Sequence, residues 1–323
     1  MNFLVRGDTH GRFTWIDQLG NHIPTETSII ILGDAGFNFY LNKSDDKLKR
    51  WVNERRYTIY CLRGNHEARP RDVSGMIMWY DDTIKGNVYI QLEYPNIRYL
   101  MDCETYQFGE YKCLCIGGAY SVDKYYRLAR FEYTDETNIP KRSGWFNDEQ
   151  LTIQEMTKYE KQIKGQTVDF VFTHTCPLSF QPNDLFLGFI NQSQVDNTVE
   201  RWMEGIKDSF KWNIWCFGHY HADRIERPHV EQYFNDIEEL DGTQTDVNVE
   251  FEIDPNFENV IAVTAVSEEG TENKKEETIV KEQEAEIETT NASYRKREEA
   301  VETNNLKTIY LRASNAEREK NSI

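Results

Sequence analysis

No stretch of the sequence is apolar enough, over the roughly 20 residues a helix needs to cross a bilayer, to serve as a membrane span. Positive charge is also short: 37 Lys and Arg stand against 55 Asp and Glu, a net charge of −18, with no long basic stripe. A protein that grips a nucleic-acid backbone needs a basic face, so nucleic acid is disfavoured as a partner. The acidity reads first as general solubility. Little chain precedes the first motif, because Asp8 closes a strand that starts at about residue 2. A cleavable signal takes about 15–30 residues, so a cytoplasmic location is expected. The six cysteines lack useful spacing: Cys61, Cys113, Cys115 and Cys216 fall inside apparent strands as small apolar residues, and Cys113-x-Cys115 matches neither a metal nor a redox pattern. Disulfides are not expected in a cytoplasmic chain, and without secretion the sequon Asn291-Ala292-Ser293 carries no meaning.

What is present is a set of polar residues placed at strand ends. Short apolar runs at 3–5, 29–32, 59–62, 170–172 and 214–217 read as buried strands. Each is followed at once by a polar cluster: GDTHG with Asp8 and His10, LGDAG with Asp34, RGNHE with Asn65 and His66, FTHTC with His174, and FGHYH with His219 and His221. In open α/β sheets, functional groups gather beyond the carboxyl ends of the strands, so five such ends converge on one region. Taken singly, each cluster has a plainer reading. Asp8 could cap a helix, GNHE could be a polar turn, and His174 could be a satisfied core histidine. His219 and His221 are stronger together, since alternate residues of an extended chain share one side. Two Asp, four His and one Asn make an oxygen and nitrogen donor set without thiolate, suited to Mn, Fe, Zn, Co or Ni rather than Ca. Seven donors exceed what one ion with an open position takes and suit two ions about 3.5–4 Å apart. Asp34, alone at its strand end, is the natural bridge, with one carboxylate oxygen for each ion.

The order Asp8-Thr9-His10, Gly33-Asp34, Gly64-Asn65-His66-Glu67, His174, Gly218-His219-Tyr220-His221 resembles that of the calcineurin-like metallophosphoesterases, over residues 1–245. The resemblance implies one metal on Asp8, His10, Asp34 and His221 and a second on Asp34, Asn65, His174 and His219. His66 is then not a ligand but faces the substrate, stabilising phosphoryl oxygens or protonating the leaving oxygen. It further implies hydrolysis of a phosphate ester by a metal-bridging hydroxide. Gly7-Asp8-Thr9-His10-Gly11 and Leu62-Arg63-Gly64-Asn65-His66-Glu67 are similar to the first and third motifs of the serine/threonine phosphoprotein phosphatases. The second motif departs from that branch: Phe37 and Asn38 stand where GDxVDRG has the Asp that orients the motif histidine and the Arg that grips phosphate. The stretch 117–127 is similar to one in bacterial and phage members.

These features imply an α/β fold, a two-sheet sandwich flanked by helices, with the site at one edge. Helices are expected at 13–19, 45–55, from Asn147 or Asp148 to about 161, and at 194–206. The runs VYIQLEY, IRYLMD, TYQFG and KCLCIGG between 88 and 118 are expected as antiparallel strands of the second sheet, 117–127 as a loop leaving it, and 234–240 as the strand closing it. A catalytic domain at 1–245 is followed by an acidic extension at 246–323, helical or disordered. There, a run at 260–266 could form a strand, and the spacing of Ile287, Tyr294 and Val301 does not sustain a coiled coil.

Three functions fit. A phosphomonoesterase, acting on a phosphorylated small molecule or a phosphoprotein, agrees with GDTHG and LRGNHE, and the acidic shell favours a compact phosphate over a polyanion. A phosphodiesterase or nucleotide hydrolase agrees with the loss of GDxVDRG. A non-catalytic binding module would be expected to have shed ligands, and all seven are kept. Arg12, Arg69, Lys124 and Arg127 are candidates to grip phosphate, although loop cations are usually just solvated.

Overall fold

A computed structural model of the chain describes residues 2–19, 23–24, 26–132, 144–188 and 190–241. The strands β1 (Asn2–Arg6), β2 (Thr27–Ile31), β3 (Thr58–Cys61), β4 (Met76–Asp81), β5 (Gly86–Gln91), β6 (Ile97–Leu100) and β13 (Ile237–Glu239) form one sheet in the order β13-β1-β2-β3-β6-β5-β4. A second sheet runs β11-β12-β10-β9-β8-β7, from β7 (Glu104–Phe108), β8 (Tyr111–Ile116), β9 (Phe170–Thr173), β10 (Ile214–Phe217), β11 (Arg224–Arg227) and β12 (Val230–Gln232). The centre of each sheet is parallel: β1, β2, β3 and β6 in the first, β8, β9, β10 and β12 in the second. Parallel strands are covered on both faces and read as near-continuous apolar runs, which is what made the five runs recognisable.

Side-chain alternation divides those runs among three cores. Phe3, Val5, Ile30, Tyr60, Cys113, Cys115, Phe170, Phe172, Ile214 and Cys216 meet between the sheets. The alternate residues Leu4, Ile29, Ile31, Ile59 and Cys61 face outward under Ile16 of α1 (Trp15–Leu19) and Val52 of α2 (Lys43–Asn53). On the other side, Leu114, Ile116, Val171, Trp215 and Phe217 lie under Met156 and Ile163 of α4 (Ile153–Ile163) and Val199, Met203 and Ile206 of α5 (Thr198–Ile206). The result is a helix–sheet–sheet–helix sandwich. With both sheets' parallel strands ending at one edge, their following loops share that edge.

Several expectations are corrected. The segments of β5 and β6 belong to the first sheet, β6 running parallel to β3, and only β7 and β8 join the second, β8 parallel to β9. The chain changes sheets between β6 and β7, at a turn where Cys103 takes φ 62° and Asp102 is held by Arg63 and the Gly117 amide. Likewise 234–240 closes the first sheet: β13 pairs antiparallel with β1, and the Leu240 amide donates to the Phe3 carbonyl. Arg6, whose guanidinium reaches Asn235, draws the segment to that side.

The helix expected from Asn147 or Asp148 starts later, because Thr152 and Glu155 form a reciprocal capping box. Arg69 meanwhile holds the carbonyls of Asp148 and Gln150 outside the helix. Residues 117–127 are not all loop, since α3 (Lys124–Glu132) starts within them. The boundary at 245, the acidic extension and the run at 260–266 lie outside the described residues. Among the described residues no helix is long and apolar enough to cross a membrane.

Candidate metal centre

The first motif follows β1. Asp8, 2% exposed, points into the edge where the sheets meet, and the amides of Thr9 and His10 both donate to the Asp34 carbonyl, at 3.2 and 2.8 Å. The loops after β1 and β2 are therefore one unit. His10, Asp34, His219 and His221 all adopt left-handed backbone, with φ of 46°, 46°, 70° and 53°. Positive φ in a residue other than Gly is uncommon, Asn, Asp and His being the types that tolerate it best, and such conformations cluster where function over-determines the backbone. His219 and His221 thus converge through two left-handed residues, not through the alternation of an extended strand.

Each carboxylate is fixed through one oxygen. Asp8 Oδ1 accepts the His219 amide at 2.8 Å, and Asp34 Oδ1 accepts the His66 amide at 2.8 Å. What remains is aimed at imidazoles. Asp8 Oδ2 is buried without a hydrogen-bond partner, 3.2 Å from His221 Nε2 and 3.7 Å from His10 Nε2, and those two nitrogens are 3.0 Å apart. Asp34 Oδ2 lies 3.6 Å from His174 Nε2 and 3.9 Å from His10 Nδ1 and from His66 Nε2. His174, fully buried, has Nδ1 2.8 Å from the Leu32 carbonyl, which can only accept. Nδ1 is therefore protonated, and a neutral ring turns a bare Nε2 toward Asn65 Oδ1, 2.8 Å away. These carboxylate and imidazole atoms face one another across short gaps, where either a proton or a cation can lie between them.

The electrostatics point the same way. Burial alone would raise Asp8, but His174 and His221 outweigh it and hold its pKa below the ordinary carboxylate value. Burial is likewise overcome at Asp34, by His66, His174 and His10, which hold it well below. His174 is pushed up to about 9, the two aspartates overcoming its burial. Its neighbour His219, ring centroid 5.0 Å away, is pushed down to about 3 by burial and by His174. Burial lowers His10 despite both aspartates, whereas the Asp8 contact outweighs burial and raises His221. The pocket attracts positive charge at its centre.

The close approach of these groups requires glycine. A Cβ at Gly64 would overlap the Asp34 carboxylate and amide, and one at Gly218 would sit 2.5 Å from Asp8 Oδ1. An unpartnered buried carboxylate oxygen, facing imidazole nitrogens within a glycine-lined cradle, fits a divalent cation. Asp8, His10 and His221 bring ligand atoms within 4.8 Å of one another, and so do Asp8, Asp34 and His174. Asn65 adjoins the second group, while His219 packs on His174 outside either triplet. Asp8, rather than Asp34, is common to both triplets.

His66 stands at the rim, its side chain 21% exposed and its ring edge-on to His10 with centroids 5.5 Å apart. Phe37 stacks on Phe13 at 4.6 Å in the outer core, and Asn38 is fully buried, its carbonyl accepting the Ala68 amide. Neither side chain supports His66. Of the four candidate phosphate cations, Arg69 is buried against Glu155, Arg127 pairs with Asp123, Lys124 lies over the Trp145 ring, and Arg12 is exposed. The sequence reading missed Ser121 and Glu149, which adjoin Asn65. It also gave no role to Glu67, whose carboxylate accepts the Gly64 amide at 3.1 Å and is pushed up to about 7 by burial beside Asp34. No local sequence signal links Asn65 to residues 56 and 84 positions away.

The sequence model of the calcineurin-like phosphoesterase family matches residues 1–223, and the chain belongs to that family. Most of its members are metal-dependent phosphoesterase hydrolases. A search of curated proteins found no match. One solved crystal structure is similar with a TM-score of 0.39 at 12% identity, over 72% of this chain and 89% of that one, too distant to carry an argument.

Proposed function

We propose that this protein hydrolyses phosphate esters with two divalent metal ions, acting foremost as a phosphomonoesterase. The observation that carries this reading is the buried, unpartnered Asp8 Oδ2 facing the ring nitrogens of His10 and His221. Asp8, His10, Asp34 and His221 would hold one ion, and Asp34, Asn65, His174 and His219 the other, with Mn, Fe, Zn, Co or Ni suited to the donors. Asp34 Oδ1 keeps a second lone pair beside its bond to the His66 amide, so bridging stays open to it. When bound, such ions lower the pKa of water and take up charge developing on phosphoryl oxygens.

The chain's own residues supply position and protons. The backbone amides of His66 and His219 hold the two carboxylates still, so no reorganisation is needed as charge develops. His66, at the rim with Nε2 3.9 Å from Asp34 Oδ2 and with Phe37 and Asn38 turned away into the core, presents Nε2 to donate a proton to the leaving oxygen. No Ser, Cys or Asp nucleophile is required. The six thiols are all free and buried, which suits a cytoplasmic location and excludes them from the chemistry.

The substrate would be a phosphorylated small molecule or a phosphoprotein. A phosphodiesterase or nucleotide hydrolase is the second reading, favoured by Phe37 and Asn38 being turned into the core, which leaves the site without the phosphate grip of the protein phosphatases. Turnover of p-nitrophenyl phosphate and of bis(p-nitrophenyl) phosphate by protein reconstituted with Mn separates them. The monoester should be favoured. Faster turnover of the diester would reverse the order, and turnover of neither, with any of the five metals, would leave only a binding module.

A further inference from the structure

Behind Asn65 runs a buried chain of hydrogen bonds that uses none of the seven donors except Asn65 itself. Asn65 Nδ2 donates to Ser121 Oγ at 2.8 Å, and Ser121 Oγ donates to Glu149 Oε2 at 2.6 Å. The Ser121 amide donates to the other oxygen, Glu149 Oε1, at 3.0 Å. Asn65, Ser121 and Glu149 are 1%, 2% and 4% exposed. The segments that carry Ser121 and Glu149 are held by Arg63, of the same motif as Asn65. Its guanidinium donates to the Glu149 carbonyl at 2.6 Å and the Gly117 carbonyl at 3.1 Å, and its own carbonyl accepts the Gly118 amide at 2.7 Å.

The direction of this chain has a consequence at the metal centre. An asparagine amide is nearly symmetric in shape but not in chemistry, since one end accepts and the other donates. With its oxygen toward His174 Nε2, Asn65 offers a cation a ligand. Turned over, its NH₂ would donate to Nε2 of a neutral His174 ring, and its oxygen would accept the Ser121 hydroxyl. That arrangement is fully hydrogen-bonded with no cation at all. On the side away from His174, the choice is made by the single proton on Ser121 Oγ. A carboxylate accepts only, so Glu149 claims that proton and leaves Ser121 with lone pairs alone to show Asn65.

We propose that Glu149, acting through Ser121, is a positioning residue that fixes the Asn65 amide with its oxygen toward the metal centre. This inference rests on the metal-binding reading above. It predicts that Glu149→Gln, whose amide can donate to Ser121 Oγ and free its proton, weakens one of two bound ions by about 10–100-fold, as loss of an outer partner to a ligand commonly does. Ser121→Ala, which removes the hydroxyl, should weaken the same ion, and serves if Glu149→Gln does not fold.

The test is a calorimetric titration of chelator-stripped protein with MnCl₂, on wild type, Asn65→Ala, Glu149→Gln and the double variant. Because the effect passes through Asn65, Glu149→Gln should add nothing to Asn65→Ala, whereas a merely structural role would weaken binding further in either background. An additive double variant, or equal weakening of both ions, overturns the relay. So does wild-type affinity in both Glu149→Gln and Ser121→Ala. A different result sinks the underlying reading instead: wild type that takes up at most one ion, or Asn65→Ala that binds two ions as tightly as wild type.

Discussion

Raising the pH of the chelator-treated protein should unlock the centre of the site. His174 is buried with Nδ1 on the Leu32 carbonyl and Nε2 against Asn65 and Asp34, and the two aspartates push its pKa up to about 9 from an ordinary 6.5. A group whose folded pKa is raised contributes stability that is complete below the unfolded pKa and is lost as pH rises through the folded one. The window is therefore pH 6.5 to about 9. At ~1.4 kcal/mol per pH unit the loss across it amounts to about 3 kcal/mol, of the order of a quarter to a half of a typical domain's stability. A metal ion on Nε2 displaces that proton, so metal affinity should climb up to about tenfold per pH unit over the same window.

Urea unfolding at pH 6.5 and 8.5, with EDTA and with saturating metal, reads both effects, and His174→Asn supplies the control. Its value lies in the six buried thiols, which burial also holds protonated and which begin to cost stability as pH nears 9. Chelated wild type that is equally stable at both pH values, together with a metal affinity that does not change with pH, would refute the reasoning.

Asp34→Asn removes a charge that lies within 3.9 Å of three imidazoles and should lose metal content and turnover together, as measured by metal analysis and a phosphate-release assay. His66→Asn should keep both ions while kcat falls by about 10²–10⁴-fold. An emptied site in that variant would make His66 a ligand. Gly64→Ala, whose methyl would overlap the Asp34 carboxylate, should displace that carboxylate and cost on the order of 10²-fold in turnover. Overpacking should add about 1–3 kcal/mol of destabilisation by urea melt. Deleting residues 270–323 should leave metal content and small-ester turnover near wild type, because every proposed ligand precedes residue 222 and the family match ends at 223. Loss of small-ester turnover on deletion would contradict that boundary.

The parts of the fold that could be read in advance are those where the chain is buried on both faces. The runs at 3–5, 29–32, 59–62, 170–172 and 214–217 are continuous because each fills two cores at once, and the polar cluster after each stands out against them. Sheet membership was not legible. The segments of β5 and β6 have a strand pattern that fits either sheet, and the chain crosses over at the turn held by Arg63 and Asp102, a contact between residues 39 positions apart. Edge strand β4 escaped notice because Met78, Trp79 and Tyr80 are all exposed, which leaves no alternation to read.

The start of α4 was readable in principle, since the Thr152–Glu155 pair carries the capping-box spacing, but Asn147 and Asp148 offered earlier caps. Within the site, residue types identified the donors, and their placement depended on backbone the sequence does not announce. The left-handed turns at His10, Asp34, His219 and His221 aim the side chains. Ser121 and Glu149 reach Asn65 only through the fold, from the loop after β8 and the segment before α4.

The claim that two cations belong at this edge is tested most directly by counting them. Chelator-stripped protein, reconstituted with Mn, Fe, Zn, Co or Ni and freed of excess metal, should carry two ions per chain by metal analysis. Hydrolysis of a phosphate ester should be lost on stripping and restored with the second ion. A chain that retains one ion or none, or that hydrolyses the ester equally well after stripping, would contradict the account.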